Sequence, residues 1–263
     1  MSAAKTILIT GSTDGIGRLT AQKLSALGHH VIIHGRNTKR LQSVVAEMPG
    51  SFGVQCDLSD LSEVEKMAQS IKSKYKSIDI LINNAGVFKT LHPTTSTGHD
   101  VRFVVNTVAP YLLTKRLLDI IPKSGRIINL SSAAQSSVNI KALRGEQPAG
   151  ADFAAYGQSK LAITAWTRHW ALQLKRGGGP LMLSVNPGSL LGTKMVQEGF
   201  GTSGNDVNIG ADILVSLALD LKHEAHAGDY FDNDNRAYGQ PHRDSLNPKI
   251  SQIIIQTIEG MLP

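Results

Sequence analysis

The chain of 263 residues has one cysteine, Cys56, and therefore no partner within itself for a disulfide, which fits a reducing compartment. It has no stretch near the roughly 20 apolar residues that cross a bilayer. Its start, Met1-Ser2-Ala3-Ala4-Lys5, runs straight into a short apolar segment, where a signal peptide would need an apolar core of about 7–15 residues. These absences lead to the expectation of a soluble, cytoplasmic protein with no membrane partner. Basic runs are scarce as well. Lys and Arg number 27 against 21 Asp and Glu, a formal charge of +6, yet no run of Lys and Arg exceeds two residues. A nucleic-acid binder needs a basic stripe to follow the phosphates. Nucleic acid is thus not expected as a partner, and the surplus reads as a solvated basic surface. With 18% charged and 41% hydrophobic residues, the composition excludes disorder, collagen and coiled coil.

What is present is a regular alternation. Short β-branched runs at 7–9, 31–33, 80–82, 126–130 and 181–185, with a weaker one at 52–54, are separated by segments of helical period at 16–27, 61–75, 103–121 and 154–174. Near-continuous Val, Ile and Leu strands between helices signal a parallel sheet covered on both faces. The expected fold is α/β: one Rossmann domain over residues 1–263, a doubly wound parallel sheet of about seven strands. A polar stretch at 133–152 stands between a strand and a helix as an inserted loop. Residues 188–205, with five glycines, have the composition of a mobile substrate lid.

Several motifs fall at the ends of the strands. Thr10-Gly11-Ser12-Thr13-Asp14-Gly15-Ile16-Gly17 follows the first strand and opens the first helix. Such a turn lets backbone approach a pyrophosphate at a helix N-terminus, although its spacing departs from Gly-x-Gly-x-x-Gly. The second strand ends His34-Gly35-Arg36-Asn37, where a site for the unphosphorylated dinucleotide would carry an acid. Arg36 offers a charge-assisted contact to a 2′-phosphate instead, which predicts NADP(H) as the cofactor. Tyr156-Gly157-Gln158-Ser159-Lys160 puts a phenol and an ammonium on one helical face. A neighbouring cation favours phenolate, so Lys160 is expected to lower the Tyr156 pKa and make it a proton donor and acceptor near neutrality. Asn83-Asn84-Ala85-Gly86, Asn106, Ser131-Ser132 and Asn186-Pro187-Gly188 lie beside the same strand ends, where open α/β sheets bind ligands.

Other patterns carry less. His223-Glu224-Ala225-His226 has its histidines three apart, not the four of a zinc-binding His-Glu-x-x-His, and no metal is expected. Asp232-Asn233-Asp234-Asn235 lacks the glycine of a calcium loop and reads as a polar turn. Trp166 and Trp170 share a helical face and read as packing residues.

Taken together these motifs resemble the short-chain dehydrogenase/reductase family. Thr10–Gly17, Asp57-Leu58, Asn83–Gly86, Asn106, Ser132, Tyr156 with Lys160, and Pro187-Gly188 match its pattern in order. Ser132 and Tyr156 stand 24 residues apart, a long spacing for the family. That stretch, with Lys141-Ala142-Leu143-Arg144-Gly145-Glu146, is similar to the retinol-dehydrogenase-like branch, here without a membrane anchor. The resemblance implies Asn106, Ser132, Tyr156 and Lys160 as the catalytic residues. It implies a dinucleotide held by Gly11, Thr13, Gly15, Ile16, Gly17, Arg36, Asp57, Leu58, Asn83, Ala85, Gly86, Tyr156, Lys160, Pro187, Gly188 and Thr193. Ser132 would bond the substrate oxygen, Tyr156 would donate the proton, and Asn106 would position a water linking Lys160 to solvent. The family often forms homodimers or homotetramers through the helices bearing Asn106 and Tyr156, a face that the insertion at 133–152 could cover.

The expected activity is hydride transfer between NADPH and a carbonyl or alcohol. Leu190, Leu191, Met195, Val196 and Phe200 in the lid favour a bulky, partly apolar small molecule. A regulatory or scaffold protein that binds the cofactor without turnover is the alternative, although all four catalytic positions are filled. A sugar-nucleotide epimerase fits poorly, with only 75 residues after the Pro-Gly turn.

Overall fold

A computed structural model describes residues 3–263. The first half runs β1 (Thr6–Ile9), α1 (Gly15–Ala26), β2 (His30–Gly35), α2 (Thr38–Ala46), β3 (Phe52–Gln55), α3 (Leu61–Lys74) and β4 (Ile80–Asn83). After it come α4 (Val101–Phe103), a π-helical turn (Val104–Val108), α5 (Ala109–Leu117), β5 (Arg126–Leu130), α6 (Ile140–Leu143), α7 (Asp152–Arg176) and β6 (Leu181–Asn186). The chain ends with α8 (Lys194–Phe200), α9 (Asn208–Leu219), β7 (Tyr230–Asp232), β8 (Ala237–Gly239) and α10 (Pro248–Glu259). Side-chain caps start the helices: Asp14 accepts from Gly15 N–H, Asn37 from Arg40 N–H and Asp60 from Ser62 N–H. Asn247 caps α10, whose first residue is Pro248.

The strands form one sheet in the order β3-β2-β1-β4-β5-β6-β7-β8. The first seven are parallel, as the alternation predicts. An eighth, β8, is added antiparallel through a hairpin from β7; three residues with exposed ends carry no apolar run to announce it. Side chains alternate across the sheet. Leu8, Ile32, Leu81, Ile127 and Met182 pack toward residues of α3, α5, α7 and α10. Ile7, Ile9, Ile33, Ile82, Ile128 and Leu183 pack toward α1, α2 and α9. Both faces are buried, so the strands read as unbroken apolar runs. Truncating any one of these to Ala costs about 2–5 kcal/mol.

From β1 the chain winds outward to β2 and β3, then returns past β1 to β4. Connections therefore leave in opposite directions between β1 and β4, and a crevice opens there at the C-terminal strand ends. The single helix expected over 103–121 is instead broken into α4, the π turn around Asn106 and α5, with Pro110 at the start of α5. The stretch 133–152 carries the short α6, capped by Asn139. Behind it Arg102, buried, is held by Asp100 and Asp152 and ties α4 to the first turn of α7. Residues 188–205 carry α8, capped by Thr193 and ended by Gly201 in the left-handed conformation.

Candidate active site

The turn after β1 is drawn tight by its neighbours. Thr10 Oγ1 accepts the N–H groups of Asn84 at 3.0 Å and Ala85 at 3.1 Å, which joins the ends of β1 and β4. Asn84 Nδ2 reaches back to Thr10 O at 2.8 Å and Gly11 O at 3.2 Å. Gly11 has φ +65°, and a Cβ there would lie 2.9 Å from Ala85 Cα. At Gly17 a Cβ would meet Asn84 Nδ2 at 2.3 Å. Only glycine fits either position, and the backbone is left bare at the N-terminus of α1. Thr13 lies over Gly35, beside Arg36.

His34 completes this turn from below. Its Nδ1 accepts Gly11 N–H at 2.9 Å, so Nε2 carries the proton and donates to Cys56 O at 3.1 Å. Burial lowers its pKa to about 4, leaving the ring neutral. Arg36 stands exposed at the end of β2, and no ion-pair partner meets it among the described residues. Its neighbour Arg40 is paired with Asp14 at 2.9 Å. At the end of β3, Asp57 Oδ1 accepts from Ser59 N–H at 2.9 Å and Ser59 Oγ at 2.8 Å, while Leu58 is buried. These residues line the strand ends on the β3 side of the crevice.

On the other side stand Ser132, Tyr156 and Lys160. Ser131 turns into α7, bonding Thr164 Oγ1 at 2.6 Å, whereas Ser132 opens on the cleft with Tyr156. The Lys160 ammonium is buried, donates to Leu130 O at 2.8 Å and lies 5.5 Å from the Tyr156 ring centre. Burial lowers Lys160 to about 8. Burial also holds the Tyr156 phenol above its ordinary value, and a hydrogen bond with Ser132 brings it only part of the way back. The expected lowering of the Tyr156 pKa by Lys160 is therefore not met by the protein alone. Desolvation is the main cause of both shifts, and one N–H of the ammonium is taken by the Leu130 carbonyl.

Asn106 sits in the π turn, a distortion that often marks functional positions. Its Oδ1 accepts Val87 N–H at 2.7 Å, and Nδ2 donates to Val87 O at 2.9 Å and Ser159 Oγ at 3.0 Å. The side chain thus fastens the loop after β4 to α7. Ala85 lies on Gly11, and Gly86 lies between Asn106, Lys160 and Met195, with a Cβ position 3.6 Å from Lys160 Nζ. Asn83 points away from the crevice: its Nδ2 donates to Asn129 Oδ1 at 2.7 Å and Thr114 Oγ1 at 3.1 Å, inside the core. Strand alternation sends adjacent Asn83 and Asn84 to opposite tasks.

Between these walls lies a cleft of about 390 Å³, lined by Ser132, Tyr156, Pro187, Gly188, Leu191 and Met195 among others. Ile16 and Thr193 also line it, the latter against Gly15. Its outer wall is aromatic. Phe88 stacks on Phe200 at 5.4 Å between ring centres and meets Tyr156 edge-on at 5.2 Å and Phe153 at 6.4 Å. No spacing rule in the sequence marks Phe88, Phe153 or His34, since a lone aromatic and a strand-end histidine carry no motif of their own. Among the described residues no cluster of side chains could hold a metal ion.

A glycine cradle bare of side chains suits a pyrophosphate, and a buried ammonium with one hydrogen bond suits a ligand that brings acceptors. The arrangement defines a dinucleotide-binding α/β fold with a serine, a tyrosine and a lysine at its cleft. The model of the short chain dehydrogenase family matches residues 5–202, and the chain belongs to that family. Retinol dehydrogenases are among the proteins it is similar to. Retinol dehydrogenase 13 of Homo sapiens is 34% identical over 194 residues, covering 70% of this chain and 58% of that protein. Polyprenol dehydrogenase of Homo sapiens is 32% identical over 207 residues, covering 73% and 62%. Against these two relatives the chain spans between 58% and 62% of their length. Among solved structures, an NADPH-bound carbonyl reductase from chicken fatty liver superposes with a TM-score of 0.70 at 25% identity, over 91% of this chain and 100% of that one. Among the described residues no helix is long and apolar enough to cross a membrane.

Proposed function

We propose that the protein is an NADPH-dependent oxidoreductase acting between a carbonyl and the corresponding alcohol of a bulky, partly apolar small molecule. The observation that carries this is the meeting of Ser132 and Tyr156 at one apolar cleft, with Lys160 one helical turn behind. When bound, the dinucleotide supplies or accepts the hydride. Ser132 holds the substrate oxygen where negative charge grows during reduction. Tyr156 gives that oxygen its proton. Lys160 orients the tyrosine and offers its free N–H donors to the ribose, and Asn106 keeps the loop and helix that frame them together.

Arg36, exposed beside the glycine turn, supports preference for the phosphorylated dinucleotide. The apolar lining and the Phe88 stack support a substrate with a large hydrophobic part. The segment at 188–205 acts as the lid. Neither nucleic acid nor a membrane enters this reading, and the buried free Cys56 agrees with a cytoplasmic setting. The resemblance implies a homodimer or homotetramer through the helices bearing Asn106 and Tyr156; the packing of α10 on α7, with Glu259 bonded to Tyr111 and Lys115 of α5, supports a monomer or association through another surface.

The test is a fluorescence titration with NADPH and NADH, then a panel of ketones and aldehydes graded in size and polarity. Tight NADPH binding with turnover of the larger apolar members is expected. Binding without turnover across the panel would favour a regulatory protein, and no nucleotide binding would remove the reading altogether.

A further inference from the structure

The run Asp232-Asn233-Asp234-Asn235, a polar turn by its sequence, is bonded side chain by side chain to the segment that leaves β6. Asp234 Oδ1 accepts Ser189 N–H at 2.7 Å. Its Oδ2 accepts Ser189 Oγ–H at 2.5 Å and Asn186 Nδ2 at 2.8 Å. Asn186 Nδ2 also donates to Asp232 Oδ1 at 2.8 Å. Asn233 Nδ2 donates to Pro187 O at 2.9 Å and to Ile209 O at 3.1 Å, and its backbone N–H to Asn186 O at 3.1 Å. The hairpin between β7 and β8 thus grips each of Asn186, Pro187 and Ser189.

The gripped segment needs holding. Gly188 has φ +123° and Leu190 has φ +51°, a left-handed conformation that leucine adopts only when its surroundings impose it. Asn205 restrains the far side, through Leu190 O at 2.6 Å and Ser189 O at 3.1 Å. Asp234 restrains the near side. A carboxylate presents acceptors on both oxygens at once, which an amide or hydroxyl cannot, and charge strengthens each bond.

We propose that Asp234 is a positioning residue: through Asn186 and Ser189 it sets the Pro187-Gly188 turn in the conformation that receives the nicotinamide half of the dinucleotide. This rests on the functional reading above. Pro187, Gly188 and Ser189 share the cleft with Ser132 and Tyr156, so the turn and the proton donor must keep register with one another. Displacement of a reacting atom by as little as about 1 Å is enough to slow chemistry markedly.

The experiment compares NADPH with 2′-phospho-ADP-ribose, the same molecule without nicotinamide, by titration calorimetry; NADH and ADP-ribose run in parallel. In the wild type the intact dinucleotide should bind tighter. Asp234→Ala should weaken NADPH about tenfold while leaving 2′-phospho-ADP-ribose within about twofold, and Asp234→Asn, which keeps one acceptor, should fall between. Ser189→Ala removes one donor without touching the hairpin and should move the ratio the same way, which covers an Asp234→Ala protein that does not fold. Equal losses for both ligands with a lower melting temperature would mean a structural role only and overturn the assignment. So would an unchanged ratio. If the wild type itself binds both ligands equally, nicotinamide has no place at the turn and the functional reading falls, taking this one with it.

Discussion

His34 Nδ1 receives the backbone N–H of Gly11 at 2.9 Å, so a buried ring braces the first glycine of the cradle. The bond requires a neutral imidazole, and burial keeps it so by lowering the pKa to about 4 from the ordinary 6.5. Between those values the unfolded chain binds a proton that the folded chain does not. Stability is then level above pH 6.5 and falls as the pH drops from 6.5 toward 4. At 1.36 kcal/mol per unit, the full loss is about 3 kcal/mol. Urea unfolding at pH 7.5, 6.5, 5.5 and 4.5 should show it. His34→Gln, which keeps a side-chain acceptor without a titratable ring, should lose that part of the slope. A slope identical in wild type and variant would place the acid sensitivity elsewhere.

Tyr156 is the only proton donor proposed at the cleft, and its phenol is held above the ordinary value by burial. It is therefore protonated at neutral pH, the form that reduction needs. Tyr156→Phe removes the proton and little volume. Turnover should drop by at least about 100-fold, the low end for a general acid, with NADPH affinity preserved. Steady-state rates with any accepted carbonyl and a parallel nucleotide titration separate the two. Residual activity near the wild-type level would take the proton-donor role from this residue.

The sheet was legible because both of its faces are buried, which writes strands as unbroken apolar runs such as Ile7-Leu8-Ile9. Strand β8 was not: Tyr238 is half-buried between exposed Ala237 and Gly239, and no pattern survives in three residues. The chemistry at the crevice was legible where it depends on spacing along one element, as with Tyr156 and Lys160. It was hidden where it depends on approach in space. Phe88 joins the cleft wall only because α8 folds over it, and Asp234 reaches Ser189 across 45 positions. The electrostatics of the pair also escaped the sequence, because the desolvation that governs Tyr156 and Lys160 is a property of the packed core.

Arg36 is exposed and has no ion-pair partner among the described residues, so its charge is available to a ligand, while Arg40 beside it is occupied by Asp14. Arg36→Asp places an acid where a ribose hydroxyl would be recognised and a 2′-phosphate repelled. The ratio of kcat/KM for NADPH over NADH should fall by at least about tenfold, the effect of losing one charge-assisted contact. An unchanged ratio would mean that the 2′ position is read by other residues, with Arg40 the next to test.

Gly199 is where the lid meets the aromatic wall. A Cβ on it would lie 2.6 Å from Phe88 Cε1, although Gly199 has an ordinary helical backbone, so glycine is required by the ring and not by the turn. Phe88 in turn stacks on Phe200, the next residue, and touches Tyr156. Gly199→Ala should lift α8 from Phe88 and loosen the substrate wall. The Michaelis constant for an apolar carbonyl should rise several-fold, with NADPH affinity changed far less and stability lowered by about 1–3 kcal/mol, as for overpacking. Repeating the substitution in a Phe88→Leu background tests the contact itself. If the two residues act through one another, the added methyl costs little once the ring is gone, and the coupling exceeds about 0.5 kcal/mol. Additive effects would separate the lid from Phe88 and leave the aromatic stack as packing alone.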